Sequence, residues 1–366
     1  MDVARITQGY GNSISSTLAM RPFIPALILM VGAACSRAPL GVKTYLSEPF
    51  PKKLSEWHLF TADGKPNAGV IPYELNSPLF SDYAAKSRTI WMPAGQAARY
   101  DPEKTFQFPL GTVVSKSFSF NDRVVETRLL VNTTGGWIPL PYVWNRDRTE
   151  AFLEIAPDAQ RIAYRHPSGE TIDVDYVIPN VNQCKNCHEN GGSNAPIGLR
   201  ARHLNRDYVY GDGPANQLAY WTRIGYLTGA PQDAKDAPRL AVWNDPKTGT
   251  LDERARAYLD INCAHCHNPD GPGNTSGLNL SAFQKDMVAL GECKTPVAAG
   301  RGSGNFRFAI LPGHPEESIL VHRMASAEPK VMMPELGRSA VHREGLELIR
   351  EWIGAMRGDC EVRARS

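Results

Sequence analysis

Between residues 57 and 180, apolar and polar residues alternate in short runs that are rich in β-branched and aromatic side chains. A period of two residues predicts β-strands, because successive side chains of a strand point to opposite faces of its sheet. Asn121-Asp122 and Thr134-Gly135-Gly136 separate pairs of runs and suit hairpin turns. Strands at this spacing indicate an antiparallel, sandwich-like module. The predicted strands are Thr89–Met92, Thr105–Phe108, Thr112–Phe120, Val124–Val131, Trp137–Trp144, Ala151–Ile155, Arg161–Arg165 and Thr171–Ile178.

After Val181 the apolar period lengthens to that of a helix. One helix is predicted over residues 252–266, with Thr250 and Glu253 forming a capping box at its start. A second helix is predicted from 342 to 356, where apolar residues recur every three or four positions. The pattern therefore predicts a β-rich module followed by a mainly α-helical region.

An apolar run from Phe23 to Ala34 follows Arg21 and precedes Cys35. At about a dozen residues it is too short to span a bilayer but has the length of a signal-peptide core. It resembles a bacterial lipoprotein signal, with Met20 as the first residue and a lipid on Cys35. Cleavage without a lipid and a buried helix are the alternatives. Export would place the mature protein in the periplasm, with the membrane reached only through the anchor or signal.

Composition narrows the classes of function. The chain has 366 residues, of which 42% are hydrophobic and 21% charged, so we expect neither disorder nor a multi-span membrane protein. The 40 basic and 38 acidic side chains leave a net charge of +2, which gives no electrostatic case for nucleic-acid binding.

Four of the seven cysteines lie in two Cys-x-x-Cys-His pentapeptides, at 184–188 and 263–267. Two thiols three positions apart can add to the vinyl groups of one porphyrin, and the next histidine can ligate the iron. Zinc binding and thiol–disulfide exchange are the alternatives for such pairs. We therefore predict two covalently bound c-type haems. Their thioether and proximal iron ligands are Cys184, Cys187, Cys263, Cys266, His188 and His267.

The distal ligand of the second haem is expected on the loop before the last helix. Met333 lies there beside Pro334, and a methionine ligand raises the reduction potential of a haem. Met332 is the reserve, and the alternative is that both methionines only fill the core. His265 is expected to face solvent. For the first haem, a five-coordinate or water-bound iron stays open, and the candidate distal ligands are His203, His166, Met92, His314, His322 and Met324.

Several motifs carry a resemblance to known proteins. The stretch from Thr250 to Trp352 looks like a small class I cytochrome c, with an attachment helix, a haem motif, a methionine loop and a terminal helix. Residues 50 to 355 resemble a bacterial family of di-haem c-type cytochromes, with Glu335 where the family's loop carries a proline. The matching segments are Tyr73–Asp82, Glu126–Leu130, Tyr142–Asn145, Asn262–Asn268 and Met333–Gly337.

The resemblance implies electron relay between redox partner proteins, a dehydrogenase and an acceptor cytochrome or oxidase. Together with the patterns above it gives an α+β multidomain fold class, with an N-terminal antiparallel β-rich, sandwich-like module and a mainly α-helical, cytochrome c-like di-haem region. The predicted boundaries are 1–35 for the signal, 36–56 for a tether, 57–180 for the β-rich module, 181–240 for the first haem-binding segment, 241–358 for the second haem domain and 359–366 for a tail.

Two alternatives to a carrier stay open, and so does the question of enzyme activity. A di-haem peroxidase also carries two such motifs, although its first motif comes early in a mostly helical chain. A haem-wired module that binds a sugar or a partner is the other alternative. The residues behind it, which could equally be core aromatics beside structural ion pairs, are Asp82, Lys86, Arg88, Trp91, Glu126, Arg128, Trp137, Trp144 and Asn145.

Cys293 and Cys360 lie outside the haem motifs. In an oxidising compartment we predict a disulfide between them, which would fasten the loop after the second motif to the tail. Two unrelated thiols are the alternative. Cys35 is then left for the lipid or for removal with the signal.

Overall fold

The computed structural model of the chain describes residues 40–363, apart from positions 155, 157, 298 and 299. The predicted signal with Cys35, and the first part of the predicted tether, therefore lie outside the described residues. Within the described part, no helix is both long and apolar enough to cross a membrane.

Fourteen strands are assigned among the described residues. They are β1 (Ile71–Pro72), β2 (Ala85–Trp91), β3 (Ala98–Arg99), β4 (Val113–Phe120), β5 (Arg123–Thr133), β6 (Gly136–Trp144), β7 (Ala151–Leu153), β8 (Asp158–Arg165), β9 (Thr171–Ile178), β10 (Glu189–Asn190), β11 (Ser193–Asn194), β12 (Asp207–Tyr210), β13 (Gly213–Asn216) and β14 (Leu227–Thr228). The helices are α1 (Val181–His188), α2 (Ala201–Leu204), α3 (Gln217–Arg223), α4 (Leu251–Asn262), α5 (Met287–Leu290), α6 (Ile319–Ala325), α7 (Arg343–Ala355) and α8 (Cys360–Arg363).

Six strands form one antiparallel sheet in the order β1-β2-β4-β5-β6-β7. Asn121 and Asp122 join β4 to β5 with φ angles of 46° and 61°, in the left-handed region that these two residue types tolerate best. The β5–β6 turn is closed by the Thr133 hydroxyl, which donates to the Gly136 carbonyl at 2.7 Å. Both predicted hairpin turns are confirmed. The predicted strand at Thr105–Phe108 is wrong, since that segment forms only isolated bridges.

The two faces of the sheet pack against different parts of the chain. On one face, Val113 and Val131 pack with Trp57 from the segment that precedes the sheet. On the other face, Ile90 and Leu130 belong to a core that includes residues from α2, α3 and α4. Part of the segment after residue 181, between Leu199 and Ile261, therefore covers the sheet directly, while α4, α6 and α7 share a separate core.

The predicted fold class is wrong, because no mainly α-helical, cytochrome c-like region follows the sheet. The α-helices cover less than a third of residues 181–358, and short strands, 3-10 turns and loops make up the rest. Glycine and proline explain part of this, since Pro269, Gly271, Pro272 and Gly273 follow the second motif and oppose helix. The β-rich part also differs from a sandwich, because β8 and β9 form a separate two-stranded sheet.

The two longest helices, α4 and α7, pack against each other. Thr250 and Glu253 form the predicted capping box of α4, but the helix ends at Asn262 instead of continuing to residue 266. A Cβ at Gly345 would lie 2.4 Å from the Tyr258 ring. The glycine therefore allows α7 to approach α4 closely at this point.

Candidate functional site

The first Cys-x-x-Cys-His motif occupies α1. The Asn180 side chain caps this helix by accepting a hydrogen bond from the Gln183 N–H. The Gln183 side-chain oxygen in turn accepts a hydrogen bond from the Asn180 N–H. The motif lies on less than two turns of this helix. Cys184 is buried, Cys187 is half-buried, and both thiols are free. Burial raises the pKa of Cys184 to about 11.

The ring of His188 is oriented by a single hydrogen bond. Its Nδ1 lies 2.9 Å from the Ala195 carbonyl oxygen, so Nδ1 carries the proton and donates it. Burial lowers the pKa of His188 to about 4, so the ring is neutral near pH 7. Nε2 makes no hydrogen bond to the described residues, and this nitrogen has the free electron pair that a metal ligand needs.

The second motif starts where α4 ends. Cys263 is the C-terminal cap of α4, and the N–H groups of Cys266 and His267 both donate to its carbonyl. The loop that follows returns over the motif, with the Gly273 N–H donating to the Cys266 carbonyl at 2.9 Å. A Cβ at Gly271 would lie 2.4 Å from that same oxygen, so only glycine fits there.

His267 is oriented like His188, but by a side chain. Its Nδ1 lies 3.0 Å from the Ser276 hydroxyl, which donates its own proton to the Gly273 carbonyl and so accepts from the imidazole. Burial lowers the pKa of His267 to about 4. Both motif histidines therefore keep Nε2 free in the same tautomer. Sequence reasoning missed Ser276, whose position nine residues downstream gives no signal on its own.

The two motifs touch each other. Ligand atoms of Cys187, His265 and Cys266 all lie within 4.8 Å of one another. The loops behind the motifs are also joined, since the Gly191 N–H donates to the Asp270 carbonyl at 2.9 Å. His265 is half-buried between the motifs, so the expectation that it faces solvent is wrong.

At this contact the pKa values of the two thiols shift in opposite directions. The neighbouring Cys266 thiol and His265 lower the pKa of Cys187, against the effect of its partial burial. The Cys266 thiol donates to the Asn186 carbonyl at 3.7 Å, and its closeness to Cys187, together with burial, raises its pKa. One sulfur of each motif is therefore held against the other motif.

The methionine loop is held beside the second motif by Arg338. This buried guanidinium donates to the Met333 carbonyl at 2.8 Å and to carbonyls at the end of α6. The Met333 N–H donates to the Arg323 carbonyl at 3.0 Å, and the Arg323 charge lowers the pKa of His267. Met333 is half-buried, so its thioether is not enclosed in the core. Sequence reasoning missed Arg338 as the residue that positions this loop.

Asp82 connects the sheet region to the same loop. Its carboxylate accepts hydrogen bonds from the N–H groups of Ser339 and Ala340, both at 2.7 Å. Asp82 and Tyr83 both have left-handed φ angles, of 51° and 62°. Two consecutive non-glycine residues in this region are strained, and here the strain directs the Asp82 carboxylate toward the loop.

The candidate distal ligands of the first haem are engaged elsewhere or buried in a core. His203 Nε2 lies 2.8 Å from Asp260, and His166 Nε2 lies 2.8 Å from Glu344. Met92 and Met324 are buried in two different apolar cores. His314 lies beside Glu317 at the surface, and His322 packs against Phe306. Among the described residues, none of the six makes a hydrogen bond, ion pair or ring contact with His188.

Several of the charged and aromatic residues of the sheet bind one another in contacts that stabilise the fold. Glu126 is fully buried and binds Arg128 through two contacts of 2.6 and 2.8 Å. The Tyr176 hydroxyl donates to the same carboxylate at 2.8 Å. Trp144 donates through Nε1 to the Thr127 hydroxyl at 3.0 Å. These contacts match the interpretation of core aromatics beside ion pairs.

Cys293 and Cys360 are joined by a disulfide bond in the structure. The bond links the turn that begins at Leu290 to α8 and closes a loop with a sequence separation of 67. Cys184, Cys187, Cys263 and Cys266 are the free cysteines of the described residues.

Comparison with known proteins adds no relative. No protein-family model matches the chain, and neither a curated protein nor a solved structure is significantly similar to it.

Proposed function

We propose that the protein is a di-haem c-type cytochrome that transfers electrons outside the cytoplasm. The observation that carries the proposal is the matched geometry of the two motifs. Each presents two free thiols and a neutral histidine whose Nδ1 is already hydrogen-bonded and whose Nε2 is free. This donor set is the one that covalent haem attachment and iron ligation require.

Each residue then has a defined task. Cys184, Cys187, Cys263 and Cys266 would form thioethers, and His188 and His267 would ligate iron through Nε2. Bound haem supplies one-electron iron chemistry. Ala195 and Ser276 hold the two imidazole tautomers, and Arg338 presents the Met333 loop to the second motif.

The contact between the motifs supports a relay. Cys187 and Cys266 would each carry one thioether, and their sulfurs lie within 4.8 Å of each other. Haems held by these two cysteines would be attached at neighbouring points of the chain, and this arrangement would suit one-electron exchange between them. A dehydrogenase as donor and a cytochrome or oxidase as acceptor are the proposed partners.

Haem stoichiometry tests the proposal. The exported chain, produced in a host that matures c-type cytochromes, is expected to carry two covalent haems by intact mass and by pyridine haemochrome absorbance. Changing Cys184 and Cys187 together to Ser should remove one haem, and changing Cys263 and Cys266 together should remove the other. The matched control changes Cys293 and Cys360 to Ser and should retain both. A wild-type chain without covalent haem would overturn the proposal.

A single metal ion is the second candidate, favoured by the cluster of Cys187, His265 and Cys266. Two sulfurs and one imidazole suit Zn²⁺, with one ligand still to be supplied. The two candidates exclude each other, because thioether formation uses the sulfurs of Cys187 and Cys266. Zinc at one equivalent per chain, lost in His265→Ala, would support the metal site. Two haems per chain, unaffected by His265→Ala, would exclude it.

Mixing the reduced protein with hydrogen peroxide separates a carrier from a peroxidase. A carrier is expected to show slow, stoichiometric oxidation of its haems. Sustained peroxide turnover in the presence of an electron donor would contradict the carrier and favour an enzyme.

A further inference from the structure

Three cations stand side by side across the sheet. In the register of β2, β4 and β5, Arg88 pairs directly with Lys116, and Lys116 pairs directly with Arg128. Like charges at directly opposed positions destabilise a sheet. Lys86 lies two residues before Arg88 on the same face and adds a fourth cation. We call Lys86, Arg88, Lys116 and Arg128 the cationic row.

The carboxylates near the cationic row compensate only part of its charge. Glu126 binds Arg128, and Glu74 binds Arg88 through Nη1 at 3.0 Å. The second guanidinium nitrogen of Arg88, Nη2, is buried and makes no hydrogen bond to the described residues. The side chain of Arg88 is only 3% exposed, so water does not readily take the place of a partner.

Lys116 has no carboxylate partner among the described residues. Its ammonium lies 4.9 Å from the centre of the Phe118 ring, which compensates a full charge only weakly. Burial and the charges of Arg88, Lys86 and Arg128 lower the pKa of Lys116. The surroundings of Lys116 therefore oppose its charge unless an anion is present.

The cationic row faces the first motif. The helix α1, which carries the motif, packs against β6, and Arg128 on β5 pairs directly with Pro141 on β6. In keeping with this placement, the charge of Arg128 acts on the Cys184 thiol and the charge of Lys116 acts on the His188 ring. Along the strands, the row lies between two apolar cores, one containing Ile90, Val114 and Leu130 and the other containing Phe118. A haem likewise combines apolar and charged parts, since it has an apolar macrocycle and two anionic propionates.

We propose that Arg88 and Lys116 bind the propionate groups of the haem that is attached at the first motif. The inference rests on the proposed function, since it requires a haem there. It deepens that function by assigning to haem binding the part of the row's positive charge that Glu74 and Glu126 do not compensate. The positioning of the haem edge, and with it the reduction potential, would then depend on the β-rich region.

The test uses the haem-loaded, full-length chain with Lys116→Met, which removes the charge and keeps side-chain length. A cation near the haem favours the reduced state, so its removal should lower the potential of one haem only. It should also raise the propionate pKa and make that potential dependent on pH near neutrality. Lys235→Met is the matched control, because Lys235 is an exposed lysine outside both motifs and outside the cationic row. The potential of this control is expected to change little.

Other groups near the row must be followed in the same titration. They are Glu74, Asp82, Lys86, Glu126 and Tyr176. Cys184 and His188 are left out, since the proposed thioether and iron bonds would occupy them. Redox-difference infrared spectra identify propionate carboxylates, whose bands should shift in Lys116→Met and in Arg88→Met. Lys116→Arg keeps the charge and is expected to retain the wild-type potential and bands.

The outcomes separate this inference from the proposed function. If wild-type protein carries two haems but Lys116→Met and Arg88→Met behave like Lys235→Met, the propionate site is wrong while the di-haem proposal stands. If wild-type protein carries no haem, the proposed function itself is wrong. If Lys116→Met fails to load haem, normal loading and potential in Lys116→Arg would still support the site, and failure of both variants would overturn it.

Discussion

Hydrogen bonds to its backbone groups fix the position of Met333. The Arg338 guanidinium donates hydrogen bonds to five backbone carbonyl groups, those of Met333, Ala340, Arg323, Met324 and Ser326. The loop around Met333 can therefore stay ordered while the methionine side chain remains available to a ligand. This arrangement suits a residue whose thioether is expected to reach an iron.

Met333→Ala is expected to abolish the weak near-infrared band of sulfur-to-iron charge transfer and to lower the potential of one haem. The physical reason is that a thioether ligand favours the reduced iron. Near-infrared absorbance and optical redox titration measure both effects. Met332→Ala is the neighbouring control and should leave them unchanged. An unaltered band in Met333→Ala would show that another residue ligates the second haem.

Asp260 holds a buried ionic triad that joins α4 to α2. Its carboxylate binds Arg202 through two bonds of 3.1 Å and His203 at 2.8 Å. Burial alone would raise the pKa of Asp260, but the hydrogen bond from His203 and the charge of Arg202 outweigh burial and lower it. The triad therefore stabilises the fold in its ionised form.

Asp260→Asn should lower the free energy of unfolding by about 3–5 kcal/mol, because it leaves buried Arg202 without its charge partner. The unfolded pKa is near 3.8, so ionised Asp260 stabilises the protein above that pH. The difference between wild type and variant should shrink as the pH falls below 3.8 toward the lowered folded pKa. Urea unfolding at several pH values measures it. Asp212→Asn, in an exposed pair with Arg223, should change stability by about 0–1 kcal/mol.

At the scale of elements, the helices α4 and α7 depend on one close crossing. Both were predictable from the sequence, since their apolar residues follow the helical period and Thr250 with Glu253 marks the start of α4. The crossing itself was not predictable, because it depends on Gly345 meeting Tyr258, 87 positions away in the chain. Sequence periodicity reports which face is buried but not which element buries it.

Gly345→Ala is expected to destabilise the fold by about 1–3 kcal/mol, since the new methyl group would overlap the Tyr258 ring. Gly354→Ala is a matched control in the same helix, where a Cβ would meet nothing within 4 Å. That control should stabilise the protein by about 0.5–1 kcal/mol, as alanine favours helix over glycine. Denaturant midpoints compare the two. Equal effects in both variants would contradict the proposed crossing.

The strands show the same division between local and distant information. The alternating pattern predicted β2 and the strands from β4 to β9, because each carries its own period of two. It failed at Thr105–Phe108, whose isolated bridges to Arg99 and Arg200 replace a ladder. Thr105 thus pairs with a residue 95 positions later, and no local pattern encodes such a partner.

For the whole molecule, the sheet and the motif-bearing segment depend on each other. The prediction of a separate helical region failed partly because α2, α3 and the end of α4 bury apolar side chains on the sheet. Residues of α4, α6 and α7 form a second core with one another, but loops and short turns connect these helices. The two Cys-x-x-Cys-His motifs were visible from their spacing alone. Their contact with each other, the cationic row and the Arg338 network all required the three-dimensional arrangement.

The disulfide fastens the carboxyl-terminal end of this arrangement. Replacing Cys293 and Cys360 together by Ala should lower the free energy of unfolding by about 4 kcal/mol, by the entropy of a loop with a separation of 67. Urea unfolding of the oxidised wild type and the double variant measures the difference. Adding a reductant should remove most of it in wild type and none in the variant. Equal free energies of unfolding in the oxidised wild type and the double variant would show that the disulfide does not stabilise the fold.

The central claim is that this chain carries two neighbouring haems that exchange electrons one at a time. An optical redox titration of the full-length protein tests it most directly, because absorbance counts the haems and the potentials follow their reduction. We predict reversible reduction of two haems per chain in two one-electron steps. Removal of either haem through its cysteines should shift the potential of the other. Absence of haem absorbance, or a single haem per chain, would contradict the account.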